Sequence, residues 1–342
     1  MAQASGVTTE ARRRRGLVQR VRETVPRSGL LLALVILFVL LSLKAPYFLT
    51  TTNLFNVLRV VALNGMVACA MTFVIISGDI DVSVGSALAW SSALLGTLAI
   101  TLHWPVALAV VTVLVVGTVI HILAALIRVK LNVPSFVVTL ALFISLRGAA
   151  QMITGAWAIA PFPEGFSWLG QGYALGVIPL PAVFMAITFL VFYFVSVRTE
   201  FGRSVYAIGG NEEASRLSGI PVERTRISIY ALTGLLAALS GVILSARINA
   251  GSSKIGDGFE FEVIAAVIIG GTSLSGGMGS IGGTLLGVLF IGLLTNGMVL
   301  MNVDPFAQQL ARGLIILIAV IVGEGQKQLR RQRRSELPLA DG

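Results

Sequence analysis

"FVIISGDIDVSVGSALA", residues 73–89, sets two aspartates into a long apolar tract. Phe73 to Ser77 reads as the end of one hydrophobic helix, and Val82 onward as the start of another. Asp79 and Asp81 therefore fall on a seam. A charge at the centre of a bilayer costs at least about 2.5–3.5 kcal/mol, so such residues face a cavity, pair up or sit at an end. Two residues apart, the aspartates suit a turn or unwound segment better than one helical face. Ser77-Gly78 before them and Ser83-Val84-Gly85-Ser86 after them supply flexible backbone. The carboxylates and Ser83 also suit a helix start, where they meet free N–H groups and the positive end of the dipole. Three roles stand open: Asp81 or Ser83 as N-cap of the next helix, a place in a translocation path or gate, and a proton relay.

Composition settles the class of protein around that seam. Hydrophobic residues make up 56% of the 342, and charged residues only 12%, about half the share of an average soluble domain. Mean hydropathy is +0.90. Many apolar runs reach the ~20 residues needed to cross a bilayer, which excludes a soluble globular core. The chain reads as an all-α integral membrane protein of about ten transmembrane helices. The runs are 28–43, 57–77, 82–101, 105–127, 133–154, 179–197, 226–246, 262–275, 281–300 and 306–323. Glycines near Gly270, Gly271, Gly276 and Gly277 make the eighth an alternative site of unwinding. If one residue is skipped, "VIISGDIDVSVG" (74–85) also echoes "VIIGGTSLSGG" (267–277), which fits either an internal repeat of the kind many transporters are built from or chance similarity between two glycine-rich breaks.

The net charge of +9 comes largely from Arg12–Arg15, Arg20, Arg22 and Arg27 at one end and Lys327, Arg330, Arg331, Arg333 and Arg334 at the other. Basic tails flanking spans are a topology signal, not a nucleic-acid surface. The domain reading is a cytoplasmic tail 1–27, a membrane domain 28–323 and a cytoplasmic tail 324–342. Arg128/Lys130 and the loop 198–225 then fall on the same side as both termini. The first run is an uncleaved span, because no small-residue cleavage site follows it. Cys69 is the only cysteine, so no internal disulfide can form. His103 and His121 have no acidic or cysteine neighbour in sequence, and no metal site is expected. Nor is there a phosphate-binding GxxxxGK[ST] loop or a nucleophile–histidine pattern for catalysis.

Two further stretches are unlike ordinary spans. In "YAIGGNEEASRLSGIPVERTR" (206–226), Asn211 to Leu217 predicts one or two helical turns, with Asn211 as N-cap and Ser218-Gly219-Ile220-Pro221 as the stop. The stretch "RINAGSSKIGDGFEFEVIAAVIIGGTSLSGGMGSIGGTLLG" (247–287) opens with an external polar loop. Its Lys254, Asp257 and Glu260 are candidates for docking an extracellular partner.

"SGDIDVSVGS", "PSFVVTLALFISLRG", "GGNEEASRLSGI", "AAVIIGGTSLSGGMGSIGGTLLG" and "LLTNGMVLM" occur in this order. Together they resemble the permease subunit of bacterial ribose-type ABC sugar importers, within the branched-chain amino acid/ribose permease superfamily. The resemblance covers residues 28 to 323. It implies a multi-pass inner (plasma) membrane protein that is not itself an enzyme and holds no cofactor. ATP and Mg would be bound by a separate cytoplasmic ATP-binding-cassette ATPase. A second permease, identical or homologous, and an extracytoplasmic sugar-binding protein complete the implied assembly. By the same resemblance, Gly210, Asn211, Glu212, Glu213, Ala214, Ser215, Leu217, Ser218 and Gly219 form the contact with the ATPase. Asp81 holds the usual acidic position of the family, whereas Asp79 stands where glycine is commoner.

A neutral sugar needs hydroxyl-matching donors and acceptors. The candidates along its path are Asp81, Ser83, Ser86, Thr139, Arg147, Gln151, Thr272, Ser275 and Asn296, with Arg147 also able to pair with Asp81. The reading is a monosaccharide or polyol permease working by alternating access. The alternative is an ion-coupled secondary transporter that uses Asp79 and Asp81.

Overall fold

A computed structural model describes residues 29–315 together with 317, 318 and 321. Both basic tails, 1–27 and 324–342, lie outside the described residues. The described chain is a helical bundle, in this order: α1 (Gly29–Lys44), α2 (Thr51–Ile76) and α3 (Val84–Gly96), the last continued by a wider π turn (Thr97–Thr101). Then come α4 (Val106–Lys130), α5 (Ser135–Thr154), the short α6 (Trp168–Gln171) and α7 (Leu180–Arg198). They are followed by α8 (Glu200–Gly210), α9 (Glu212–Leu217), α10 (Val222–Ile248), α11 (Phe259–Ile269) and α12 (Ile281–Leu300). Residues 305–315 are helical again. One small departure from an all-α chain is a hairpin of β1 (Tyr173–Ala174) and β2 (Ile178–Pro179), paired antiparallel with Tyr173 opposite Pro179.

Seven of these helices are long and apolar enough to cross a membrane, counting α3 with its π turn. They match the expected runs at 57–77, 82–101, 105–127, 133–154, 179–197, 226–246 and 281–300. The remaining three expected spans do not appear as helices of that length among the described residues. α1 falls short of it. α11 stops after 11 residues, a rise of about 16 Å at 1.5 Å per residue, roughly half of the hydrocarbon core. The tenth run extends past the described residues.

α2 is the axis of the bundle, and from Val61 to Ile76 it is buried on every side. It is hydrophobic all round, as a helix must be when no face meets solvent or lipid. Polar pairs hold its neighbours in place. Asn53 and Asn296 exchange amide hydrogen bonds at 3.1 and 2.8 Å, and the Thr72 and Thr284 hydroxyls meet at 2.7 Å. Asn64 donates to Glu262 at 2.9 Å, and Glu262 in turn accepts from Arg312 at 2.7 Å. By contrast, α4, α5 and α7 turn apolar faces outward, such as Leu108, Val111, Val115 and Val119 of α4. Single-faced burial of that kind suits the rim of a lipid-embedded bundle.

The two glycine-rich segments echoed in the sequence end their helices in the same way. After α2, the amides of Ser77, Gly78 and Asp79 return to the carbonyls of Phe73, Ile75 and Val74 at 3.0, 3.0 and 3.1 Å. After α11, Gly270, Gly271 and Thr272 return to Ala266, Ile268 and Val267 at 2.9, 2.9 and 3.2 Å. Gly78 and Gly271 take left-handed φ values of 84° and 91°, which a residue with a Cβ adopts only at a cost. The breaks also touch: the Gly277 amide donates to the Ile76 carbonyl at 2.8 Å. Gly209 of α8 closes over this junction, and a Cβ there would fall on the Ile76 carbonyl and the Gly277 nitrogen. Gly209→Ala should therefore cost about 1–3 kcal/mol, the usual range for overpacking a tight site. Gly148→Ala, which meets open space, should not. Thermal unfolding of the two purified variants in detergent compares them directly.

Candidate functional site

The segment between α2 and α3 has no regular secondary structure and is pinned by side chains. Ser135 accepts from the Ile80 amide at 3.2 Å. The Thr139 hydroxyl donates to the Ile80 carbonyl at 3.2 Å and accepts from the Val82 amide at 3.3 Å. Both residues lie in the first turns of α5, so the break is sewn to that helix. Asp81 is fully buried. Its Oδ1 accepts from the Ser83 amide at 2.8 Å and the Ser83 hydroxyl at 2.6 Å.

The capping expectation divides between its two candidates. Ser83 occupies the N-cap position of α3 but makes no side-chain cap bond, because its hydroxyl is turned back to Asp81. Asp81 holds the entrance of the helix by taking the Ser83 amide, one step outside the usual cap. His121 of α4 completes the group. Its Nε2 stands 3.6 Å from Asp81 Oδ2, and its Nδ1 is 3.0 Å from the Gly117 carbonyl. Both ring nitrogens thus face oxygen acceptors in a site without solvent.

Asp79, two residues away, belongs to a different group. Its Oδ1 accepts from Arg128 Nε at 3.1 Å, and its Oδ2 lies 3.2 Å from Arg226 Nε. The second contact is an ion pair whose angle falls short of an aligned hydrogen bond. Arg226, at the start of α10, uses its two terminal nitrogens on Glu212, at 2.7 and 2.8 Å. The fork is bidentate, the geometry for which guanidinium is suited and ammonium is not. Each oxygen of Asp79 faces a guanidinium, an environment that repels cations.

Glu212 opens the short helix α9. Asn211 caps that helix as the sequence predicts, its Oδ1 accepting from the Ala214 amide at 2.9 Å. The preceding segment is more ordered than a loop. α8 forms from Glu200 because Thr199 caps it through the Gly202 amide at 3.1 Å, and Gly202, Val205 and Ile208 bury one face. Within α9, Glu212 and Ser215 turn toward the bundle, while Glu213, Ala214 and Leu217 turn outward. Leu217 is 84% exposed. Gly210, Ser218 and Gly219 flank the helix at the surface.

The remaining predicted residues do not converge on one cavity. Arg147 does not pair with Asp81. It donates instead to the carbonyls of Ser253, Ile255 and Gly256 at 3.0, 2.8 and 3.2 Å, bracing the loop before α11. Ser86 and Thr272 are buried, with hydroxyls that find no hydrogen-bond partner. Gln151 is on the exposed face of α5, and Ser275 is exposed on the second break, its amide 3.3 Å from the Ser273 hydroxyl. Asn296 is engaged with Asn53.

Of the docking candidates, Lys254 and Asp257 are exposed, with Lys254 over the Trp157 ring at 5.7 Å. Glu260 is 1% exposed and cannot present a carboxylate to a partner. It lies in the first turn of α11 and packs beside Gly85 of α3. The residues missed by sequence reasoning are His121, Arg128 and Arg226. The signal for each was a polar group inside or at the edge of an apolar run. Their aspartate partners lie 40 or more positions away and gave no local pattern.

Among the described residues, seven span-length helices, two matched backbone breaks and a capped surface helix describe a multi-pass membrane protein. The chain belongs to the family described as the permease component of branched-chain amino acid transport systems, whose model matches residues 53–322. It is similar to the "Probable ABC transporter permease protein YphD" of Escherichia coli, at 46% identity over 89% of this chain and 91% of that one. It is also similar to the ribose import permease protein RbsC of Bacillus subtilis, at 44% identity over 86% and 91%. A third relative is the L-arabinose ABC transporter permease protein AraH of Azospirillum brasilense, at 37% over 91% of each. No solved structure matches. As an ABC permease subunit, the chain is a transport component and not an enzyme.

Two measurements test the site. His121→Leu should remove the 3.6 Å contact to the buried Asp81 Oδ2, which accepts no hydrogen bond, and destabilise the protein by about 1–3 kcal/mol. Adding Asp81→Asn should recover part of that loss in thermal unfolding. For α9, the hydrogen bonds from Arg226 hold the Glu212 carboxyl below its usual range. A depressed carboxylate stabilises the fold at and above the ordinary carboxylate range and loses that contribution as pH falls through its own lowered value. A spin label at Leu217→Cys should accordingly gain mobility on acidification below that range. With Glu212→Gln it should be mobile already at neutral pH.

Proposed function

We propose that this chain is the membrane permease of an ABC importer for a monosaccharide or related polyol. It carries the sugar across the bacterial inner membrane by alternating access in a pair with a second permease, identical or homologous. The relatives' names support the sugar class, since they specify ribose, L-arabinose and, for a 34% identical Escherichia coli protein, xylose. ATP and Mg act on a separate cytoplasmic ATP-binding-cassette protein, and a binding protein delivers the sugar from the other side. Ten membrane passes with both termini cytoplasmic fit this assembly if α1, α11 with its break, and the helix from 305 each count as one pass.

The observation that carries the reading is α9. A six-residue helix is capped, fixed to the bundle by a bidentate ion pair, and offers Glu213 and an exposed leucine outward. A helix held that firmly while showing an apolar side chain is built as a contact for another protein. Glu213 and Leu217 meet the ATPase, and the Gly219 turn sets the angle of the helix.

Reconstitution with the ATPase and binding protein in proteoliposomes tests the proposal against a panel of pentoses, hexoses and polyols. ATP-dependent uptake is expected. Uptake by this chain alone, driven by a proton or sodium gradient, would overturn it. Glu213→Lys and Gly219→Val should insert normally yet hydrolyse ATP with little transport; unchanged uptake in both would remove α9 from the coupling role.

A further inference from the structure

We propose that Asp79 is a positioning residue that connects α9 to the break between α2 and α3, through Arg226, and so passes displacement of α9 to the start of α3. The inference rests on α9 being the contact for the ATPase. Its geometry stands apart from that reading.

Asp79 is 2% exposed and Arg226 is 5% exposed. A carboxylate so buried is unfavourable unless paired, and removing one partner of such a pair leaves an uncompensated charge. Asp79 is paired twice, to Arg128 of α4 and Arg226 of α10. The two arginines hold the carboxylate from two helices, which fixes its position relative to both.

The guanidinium of Arg226 works along two edges. Its terminal nitrogens grip Glu212 of α9, and its Nε faces Asp79. A planar, rigid group in contact with both carboxylates ties their positions together. Glu212 is the first residue of α9 and cannot move far without carrying Arg226 along.

The other end of the link lies at a hinge. The Asp79 amide closes the last turn of α2 by donating to Val74, while Asp81, two residues on, holds the first turn of α3 through Ser83. A pull on the Asp79 carboxylate therefore acts on the backbone between two helix ends. Beneath it, Ile76 also receives the Gly277 amide of the second break. Displacement of α9 thus reaches both breaks through contacts already made.

The experiment uses the complete transporter in proteoliposomes and reads sugar moved per ATP hydrolysed. Asp79→Asn should lower this ratio roughly 2- to 30-fold, the range expected when a coupling network loses one member. Asp79→Glu should restore part of it. Asp79→Asn added to Arg226→Gln should lower it no further than Arg226→Gln alone, because Arg226→Gln already interrupts the link to Asp79 as well as the hold on α9. A purely structural role would instead reduce the amount or thermal stability of inserted protein and leave the ratio intact.

Cross-linking from Leu217→Cys to the ATPase is measured in parallel. An unchanged ratio in Asp79→Asn with the cross-link present overturns the inference and leaves the coupling role of α9 standing. Absence of the cross-link overturns that role and the inference with it. If Asp79→Asn is not recovered in the membrane, Glu212→Gln breaks the same link at its surface end, and a normal ratio there overturns the inference equally.

Discussion

A helix that stops inside an apolar bundle frees amides and carbonyls that no water can satisfy, and every one of them needs a partner from the protein. The break after α2 depends on this requirement, and most of the surrounding structure follows from it. Its amides fold back onto Phe73, Val74 and Ile75, and its next polar groups are taken by Ser135 and Thr139 of α5 and by the Asp81 carboxylate. The break after α11 uses the same three-bond ending. Because the two segments meet at Ile76 and Gly277, each lies within reach of the other's strain.

Charge follows the same logic. Four ionised groups, Asp79, Arg128, Arg226 and Glu212, gather at one end of the bundle in opposite-sign contact. Two carboxylates and two guanidiniums balance, so the desolvation of each is offset by its neighbours. Asp81 is kept separate, with Ser83 and His121. The two aspartates therefore answer to different parts of the molecule despite a spacing of two residues: Asp81 to α3 and α4, Asp79 to α4, α9 and α10.

Much of this was legible in residue order alone. Membrane class, seven of the spans, the cap of α9 and the two glycine-rich breaks follow from local signals such as apolar run length, an asparagine before two glutamates and paired glycines. The failures share one physical cause. The partner of Arg147 is a set of backbone carbonyls, and a backbone acceptor leaves no mark on the side-chain sequence. Glu260 reads as a surface charge in a polar loop, but the loop folds inward and packs it against α3. Asn296 reads as a path residue, but Asn53, 243 positions away, takes both ends of its amide.

The order of residues by itself determined that this chain lives in a bilayer, where its helices run and where they break, because those properties depend on neighbours a few positions apart. Tertiary structure alone decided which charges meet. Arg128, His121 and Arg226 looked like a topology signal, an isolated histidine and the edge of a span. Packing α4 and α10 against the end of α2 turned them into the partners of Asp79 and Asp81. Ion pairing in a low-dielectric interior is set by distance in space, and that distance exists only once the helices have been brought together.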